Sequence, residues 1–123
     1  MSMDPATVLE EAADLLLLKG RCKVYGVDAK GRYCVLGAIA AVQGKTWTDE
    51  DEGAIYEDDP AVDALAATVG PLVDAFERAN GWGPCGKGVP STYVYFWNDV
   101  LPDDDFEVID TLRLVAKDLR NEA

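Results

Sequence analysis

The chain twice places an aspartate directly before a proline and follows the pair with apolar residues at helical spacing. Asp4-Pro5 begins the first segment and Asp59-Pro60 begins the second. An aspartate at the N-cap accepts hydrogen bonds from the first backbone N–H groups of a helix, and proline suits the first helical position because its missing N–H would have no partner there. The spacing predicts two amphipathic helices, the first over residues 4–19. Their apolar positions are Val8, Leu9, Ala12, Leu15 and Leu16 in the first helix and Val62, Leu65, Ala66 and Val69 in the second, with Leu17 and Leu18 widening the first face.

Two further helices are expected. Residues 36–42 are small and apolar, which is typical of a short buried helix. Asp104 and Glu107 have the spacing of a reciprocal capping box, and the segment after them predicts a last helix that runs to about Arg120. The apolar face of that helix comprises Phe106, Val108, Ile109, Leu112, Val115, Ala116 and Leu119.

Residues 21–36 predict a short β-hairpin. Apolar and β-branched residues stand on both sides of a turn at residues 28–31. With the turn in that position, the side chains of Cys22 and Cys34 point to opposite faces of the hairpin, which disfavours a disulfide between them. Because an isolated hairpin is marginally stable in water, this one is expected to pack on the helices.

Three features of the second half of the chain bear on its helices and core. The apolar run at residues 93–97 fits a buried strand and a short helix equally well, and periodicity leaves that choice open. Pro71 interrupts the second amphipathic segment and is expected to kink that helix or split it in two. Trp97 is expected to fill the core, while Asn98 or Asp99 hydrogen-bonds turn backbone.

Two segments predict surface loops within a single domain of residues 1–123. Residues 45–59 contain seven acidic side chains in eleven consecutive positions, a density that stays solvated. Residues 80–90 contain four glycines and two prolines, which is typical of a loop. About four helices with a packed hairpin make α+β, mostly helical, the expected fold class.

Charge and composition disfavour several classes of function. With 23 acidic and 11 basic residues, the formal charge of −12 opposes direct binding to nucleic-acid phosphates and to anionic membranes. The absence of histidine removes the commonest general base and the commonest zinc ligand. Three cysteines and a start without secretory features predict reduced thiols in the cytoplasm.

Cys34 is the one candidate nucleophile. It stands just before the helix predicted at residues 36–42, where a helix dipole lowers the pKa of a thiol. Catalysis would also need a base within reach, and without histidine a buried apolar role is favoured. A zinc site would need Cys22, Cys34 and Cys85 together with a carboxylate, yet their spacing lacks any Cys-x-x-Cys pair, and residues 49–59 lack the ligand pattern of an EF-hand. We therefore expect no metal and no cofactor, and binding rather than catalysis.

Trp82 and a group of acidic side chains are the candidate partner-binding residues. Trp82 lies in the glycine-rich loop, where an aromatic ring is either a lid over the core or an exposed anchor for a partner. Clustered negative charge can steer a protein partner toward the surface that carries it. The acidic candidates are Asp49, Glu50, Asp51, Glu52, Asp58 and Asp59.

Three sequence elements carry a resemblance to a known family. They are Gly-x-x-Cys-x-x-Gly-Ala at residues 31–38, the triplet Trp97-Asn98-Asp99, and the capped last helix. Together with Arg21-Cys22 and the first helix, they resemble a small uncharacterised family of actinobacteria and their bacteriophages. The resemblance implies a source for the chain and an overall pattern, but no reaction.

The leading hypothesis is a phage-encoded or phage-related accessory protein that binds a host or phage protein without catalysis, in the host cytoplasm. One alternative is a DNA mimic, whose carboxylates imitate phosphates and occupy a host DNA-binding protein. The other alternative is a thiol-dependent enzyme that uses Cys34.

Overall fold

The computed structural model describes residues 4–22, 31–45, 59–81, 90–100 and 104–122. These ranges contain five α-helices and no strand, and their only β-type pairing is an isolated bridge between Arg21 and Tyr33. The prediction of an α+β fold with about four helices and a β-hairpin is therefore wrong, because the described part of the chain is all-helical. In chain order the helices are α1 (Pro5–Lys19), α2 (Val35–Val42), α3 (Pro60–Ala79), α4 (Pro90–Val100) and α5 (Asp105–Glu122).

The helix caps predicted from the sequence are present in the structure. Asp4 accepts a hydrogen bond of 2.9 Å from the backbone N–H of Thr7, and Asp104 accepts one of 2.9 Å from the N–H of Glu107. At the other end of α1, Gly20 takes φ 91°, a left-handed value that favours glycine, and its N–H bonds the carbonyl of Leu16. The predicted first helix is confirmed at both ends.

Helix α3 continues through Pro71, so of the two expected outcomes, a kink or a split, the split does not occur. A proline inside a helix removes one backbone donor, which here leaves the carbonyl of Ala67 without its usual helical partner. Ala67 and Pro71 both lie on the exposed side of α3, where water can reach that carbonyl.

The apolar run at residues 93–97 lies within helix α4. Val94, Trp97 and Asn98 are its buried residues, a spacing of three and four that is helical. The sequence did not show an apolar helical face here because one of the three buried positions is an asparagine. The expectation that Trp97 fills the core is confirmed, since its side chain is 2% exposed.

Phe106 does not belong to the apolar face of α5. That face follows the helical repeat through Val108, Ile109 and Leu112, whereas Phe106 lies outside the repeat and is 65% exposed. Leu17 and Leu18 of α1 are exposed as well. Leu17, Leu18 and Phe106 are therefore apolar side chains that face away from the core.

The five helices enclose one core. The most extensive pairings are α1 with α5 and α3 with α4, and α2 contacts α1, α3 and α4. Ion pairs from Asp14 to Arg113 and from Glu10 to Arg120 show that α1 and α5 run antiparallel. The largest fully buried side chains are Leu9, Leu16, Ile39, Leu65 and Leu112.

The pairing around the Arg21–Tyr33 bridge is parallel, which corrects the expected hairpin register. The N–H of Tyr33 donates to the carbonyl of Gly20 over 3.1 Å, and the N–H of Cys22 donates to the carbonyl of Tyr33 over 2.9 Å. In a parallel register the next neighbours are Cys22 and Cys34, and neighbours in register project to the same side. The prediction that these cysteines point to opposite faces is therefore wrong. Residues 28–30 of the predicted turn lie outside the described ranges.

Gly70 of α3 lies against Tyr93 of α4 and leads to a test. A Cβ atom at this position would lie 3.7 Å from the ring of Tyr93, an ordinary contact distance. We expect Gly70→Ala to raise the free energy of unfolding by about 0.5–1 kcal/mol because it removes the helix cost of glycine. Gly70→Leu should lower it by about 1–3 kcal/mol because the larger side chain meets that ring.

Urea unfolding followed by circular dichroism measures both effects. Ala67→Leu is the matched control, since Ala67 is exposed on the same helix. Equal losses for Gly70→Leu and Ala67→Leu would contradict the close approach of α3 and α4.

Candidate functional site

Asn98 is a buried amide that joins three elements of the fold. Its Oδ1 accepts a hydrogen bond of 3.1 Å from the N–H of Val35, the first residue of α2. Its Nδ2 donates to the carbonyl of Cys22 over 3.2 Å and to Oδ1 of Asp99 over 2.9 Å. The acceptor role of Oδ1 and the donor role of Nδ2 are both imposed by backbone groups, so the orientation of the amide is determined.

The Asn98 amide occupies the position where parallel pairing would otherwise continue. After the Cys22 N–H to Tyr33 carbonyl bond, the next bond of a parallel ladder would run from the N–H of Val35 to the carbonyl of Cys22. The side-chain amide bonds to both of these groups instead. A primary amide has a donor and an acceptor, like a peptide group, so it satisfies both while ending the pairing after a single bridge.

Arg21 adds a charged contact to this junction. Its Nε lies 2.9 Å from Oδ1 of Asp105, at the start of α5, and its Nη1 donates to the backbone carbonyl of Asn98. The arginine side chain is 7% exposed, whereas the Asp105 side chain is half exposed. Arg21 therefore ties the end of α1 to the end of α4 and the start of α5.

The two described thiols lie in the same junction. Cys34 is the N-cap of α2, and its Sγ accepts a hydrogen bond of 3.2 Å from the N–H of Gly37. The Sγ of Cys22 donates to the carbonyl of Arg32 over 3.2 Å. Burial raises the pKa of the Cys34 thiol to about 11, an effect that outweighs the helix N-terminus beside it. At neutral pH Cys34 is a protonated, buried thiol.

Asp59 belongs to a second polar cluster, which joins α2 to α3. Its Oδ1 accepts the N–H groups of Ala61 and Val62, while its Oδ2 lies 2.9 Å from both Nζ of Lys45 and Nε2 of Gln43. Burial acts to raise the pKa of Asp59, but the hydrogen bonds from Lys45 and Gln43 outweigh it and hold the pKa below its ordinary value. The carboxylate is 3% exposed, so it serves the fold and is not presented to a partner.

The other predicted partner-binding residues lie outside the described ranges. These are Trp82 and the acidic residues Asp49, Glu50, Asp51, Glu52 and Asp58. The predicted acidic loop is described only at residues 45 and 59, and the glycine-rich loop only at residues 80, 81 and 90. Cys85 also falls in an undescribed range, and in the part of the chain that is described no three His, Cys, Asp or Glu side chains come together as a metal site.

A surface that sequence reasoning missed lies on the solvent side of α5. Phe106, Asp110 and Leu114 follow one another at four-residue steps, and Phe106 and Leu114 are 65% and 56% exposed. With Asp104, Glu107 and Thr111 they line a shallow groove of about 420 Å³. We call these six residues the α5 outer face. The signal available in the sequence was that Phe106 and Leu114 break the helical repeat of the core positions.

The sequence elements behind the family resemblance meet in space. Asn98 of the Trp-Asn-Asp triplet bonds to Val35 of the element at residues 31–38 and to Arg21 and Cys22, which follow α1. A comparison with protein families matches residues 1–118 to DUF6197, a family of unknown function. The chain belongs to the DUF6197 family. An uncharacterised family was expected from the resemblance, and that expectation is confirmed.

The remaining comparisons add no activity to the DUF6197 chain. No curated protein and no solved structure matches it. None of the helices in the described ranges combines the length and the apolar character needed to cross a lipid bilayer.

The Asn98 junction predicts a large effect from an isosteric substitution. Asn98→Asp keeps the shape of the side chain but replaces the Nδ2 donor to the Cys22 carbonyl with a carboxylate oxygen. That oxygen cannot donate a hydrogen bond, and its negative charge would be buried. We expect the free energy of unfolding to fall by about 3 kcal/mol. The measurement is chemical denaturation at neutral pH. Val100→Asp, which adds a carboxylate at an exposed position of the same helix, should change it by less than about 0.5 kcal/mol. Similar losses in both variants would contradict the bridging role.

The Asp59 cluster predicts a pH-dependent contribution to stability. Because the folded-state pKa is lowered, the carboxylate stabilises the native state fully above its unfolded-state pKa of about 4, and this stabilisation is lost as the pH falls through the folded-state value. Asp59→Asn should therefore cost about 1–2 kcal/mol at pH 7 and progressively less in acid.

Denaturation of wild type and variant across a pH series measures this difference. Asp63→Asn, an exposed substitution on the same helix, is the control and should cost little at any pH. A cost of Asp59→Asn that stays constant down to strongly acidic pH would show that the ionised carboxylate is not its source.

Proposed function

We propose that this protein acts by binding another protein, without catalysis, and that the α5 outer face is the docking surface. Its partner is a cationic segment with apolar side chains. The single observation that carries the proposal is the exposure of Phe106 and Leu114 within an acidic groove on one helix.

The exposure of Phe106 runs against the folding energetics of the chain. Fully burying a phenylalanine side chain stabilises a fold by about 1.5–3 kcal/mol, and most of this gain is forgone at Phe106. Every other aromatic side chain in the described ranges is buried or half-buried. Exposed aromatic and leucine side chains on one helix face can anchor a partner, because aromatic residues carry a large share of interface energy.

The charges around these two side chains define the partner. Asp104, Glu107 and Asp110 line the same groove, and each is exposed. A segment with lysine or arginine beside its apolar anchors complements this pattern and is steered toward it. A second copy of the chain is disfavoured as the occupant, because each copy has a formal charge of −12 and would present the same acidic face.

The family resemblance supplies the proposed setting. A phage-encoded or phage-related accessory protein of an actinobacterial host would meet its partner, a host or phage protein, in the host cytoplasm.

The two alternatives receive less support. For a DNA mimic, the acidic residues would need to form an uninterrupted array, yet Glu10 and Asp14 of α1 pair with arginines of α5, as Asp105 pairs with Arg21. For a thiol-dependent enzyme, Cys34 would need to be accessible and ionised, whereas it is 2% exposed with a pKa raised to about 11 by burial.

Site-specific photo-crosslinking tests the proposal. A photo-reactive amino acid is placed at position 110 within the α5 outer face, or at position 72 as a control, since Leu72 is exposed on α3. Each protein is incubated with an actinobacterial lysate and irradiated, and the crosslinked peptides are sequenced. We expect adducts from position 110 only, on a peptide that carries lysine or arginine beside apolar residues.

Two conditions separate specific docking from adventitious capture. Adduct yield from position 110 should fall with rising salt, because exposed charge pairs are screened, and should fall about tenfold or more with Phe106→Ser. Leu72→Ser, a matched loss of an exposed apolar side chain, should leave the yield unchanged. The same adducts from positions 110 and 72, or none from position 110, would refute docking on this face.

A further inference from the structure

We propose that Cys22 and Cys34 form a site of reversible oxidation, at which an intramolecular disulfide joins the end of α1 to the N-cap of α2. The inference rests on the register of the chain around the Arg21–Tyr33 bridge and is independent of the proposed binding function.

The parallel register makes the two cysteines direct neighbours. Arg21 pairs with Tyr33, and Cys22 and Cys34 are the next residues on the two segments. Although the ladder ends at Asn98, the N–H of Cys22 bonds the carbonyl of Tyr33 over 2.9 Å, which holds Cys22 beside the residue that precedes Cys34. Adjacent strands lie about 5 Å apart, and this spacing is within the range of about 4.4–6.8 Å between the Cα atoms of disulfide-bonded residues. Neighbours in a parallel register project to the same side, and both residues are buried, with 7% and 2% exposure.

The groups that hold the two sulfur atoms permit the bond. The Sγ of Cys34 acts as an acceptor, from the N–H of Gly37, and a disulfide sulfur can still accept weakly. The Sγ of Cys22 donates its proton to the carbonyl of Arg32, and this bond is lost on oxidation. Thiol donors form weak hydrogen bonds, so the loss is small.

The oxidant required is a low-molecular-weight disulfide, RSSR. One cysteine thiolate attacks RSSR, forms a mixed disulfide and releases one thiolate, RS⁻. The second cysteine thiolate then attacks the protein sulfur of that mixed disulfide and expels the second RS⁻. The two cysteines together lose two protons and two electrons, and RSSR is reduced to two RSH.

Burial controls the rate of this reaction in the folded chain. The raised pKa of Cys34 and the low exposure of both sulfur atoms keep the thiolate scarce and shielded at neutral pH. Oxidation is therefore expected to be slow in the native protein and rapid while the chain folds, when both thiols are accessible.

Refolding in a glutathione redox buffer provides the test. The Cys85→Ser variant, first shown by circular dichroism to fold when reduced, is unfolded, reduced and refolded with mixed reduced and oxidised glutathione. We expect the loss of both alkylatable thiols with no glutathione adduct, a digestion fragment that links Cys22 to Cys34, and the helical signal of the reduced protein.

Cys22→Ser in the same background is the matched control and should retain one thiol or one glutathione adduct. Two alkylatable thiols after refolding, or a linked form that lacks the native helical signal, would overturn the proposal. Should Cys85→Ser fail to fold, the wild-type chain is mapped instead. A predominant Cys22–Cys34 link then supports the site, and predominant links to Cys85 refute it.

Discussion

The fold depends on the Asn98 amide between the carbonyl of Cys22 and the N–H of Val35. Cys22 follows α1 and Val35 is the first residue of α2, and both backbone groups are buried where water cannot satisfy them. A side chain from α4 bonds to both, so α4 is held against the corner between α1 and α2. Arg21 extends the same junction to the start of α5 through Asp105. Four helix ends, those of α1, α2, α4 and α5, thereby share one set of hydrogen bonds.

Three of the polar groups inside the described core have structural tasks. Asn98 bridges backbone, Asp59 caps α3 and binds the end of α2, and Cys34 caps α2. Each is hydrogen-bonded to backbone or to a neighbouring side chain, which is the arrangement that makes buried polar groups stabilising. The exposed apolar groups of α5 direct attention to the surface instead. Our proposal for this chain therefore rests on the contacts that the α5 outer face offers to a partner.

Several elements were predictable because their signals are local. A cap such as Asp4 or Asp59 acts within one turn of its own helix, so its chemistry is legible in the residues that follow it. The hairpin prediction failed because residues 21–36 have strand-like composition, but composition does not specify direction. The pairing of residues 20–22 with 32–34 is parallel, and it ends at the Asn98 side chain, which lies more than sixty positions further along the chain.

From sequence alone came the helix caps, the helical repeat of the core and the net acidity, since each depends on residue type and short spacing. The tertiary structure alone decided three other matters: that the apolar run at 93–97 is a helix, that Asp59 is buried, and that Phe106 faces solvent. Burial is the physical reason. Whether a side chain is covered depends on which other helix packs over it, and distant contacts set that outcome rather than neighbours in the chain.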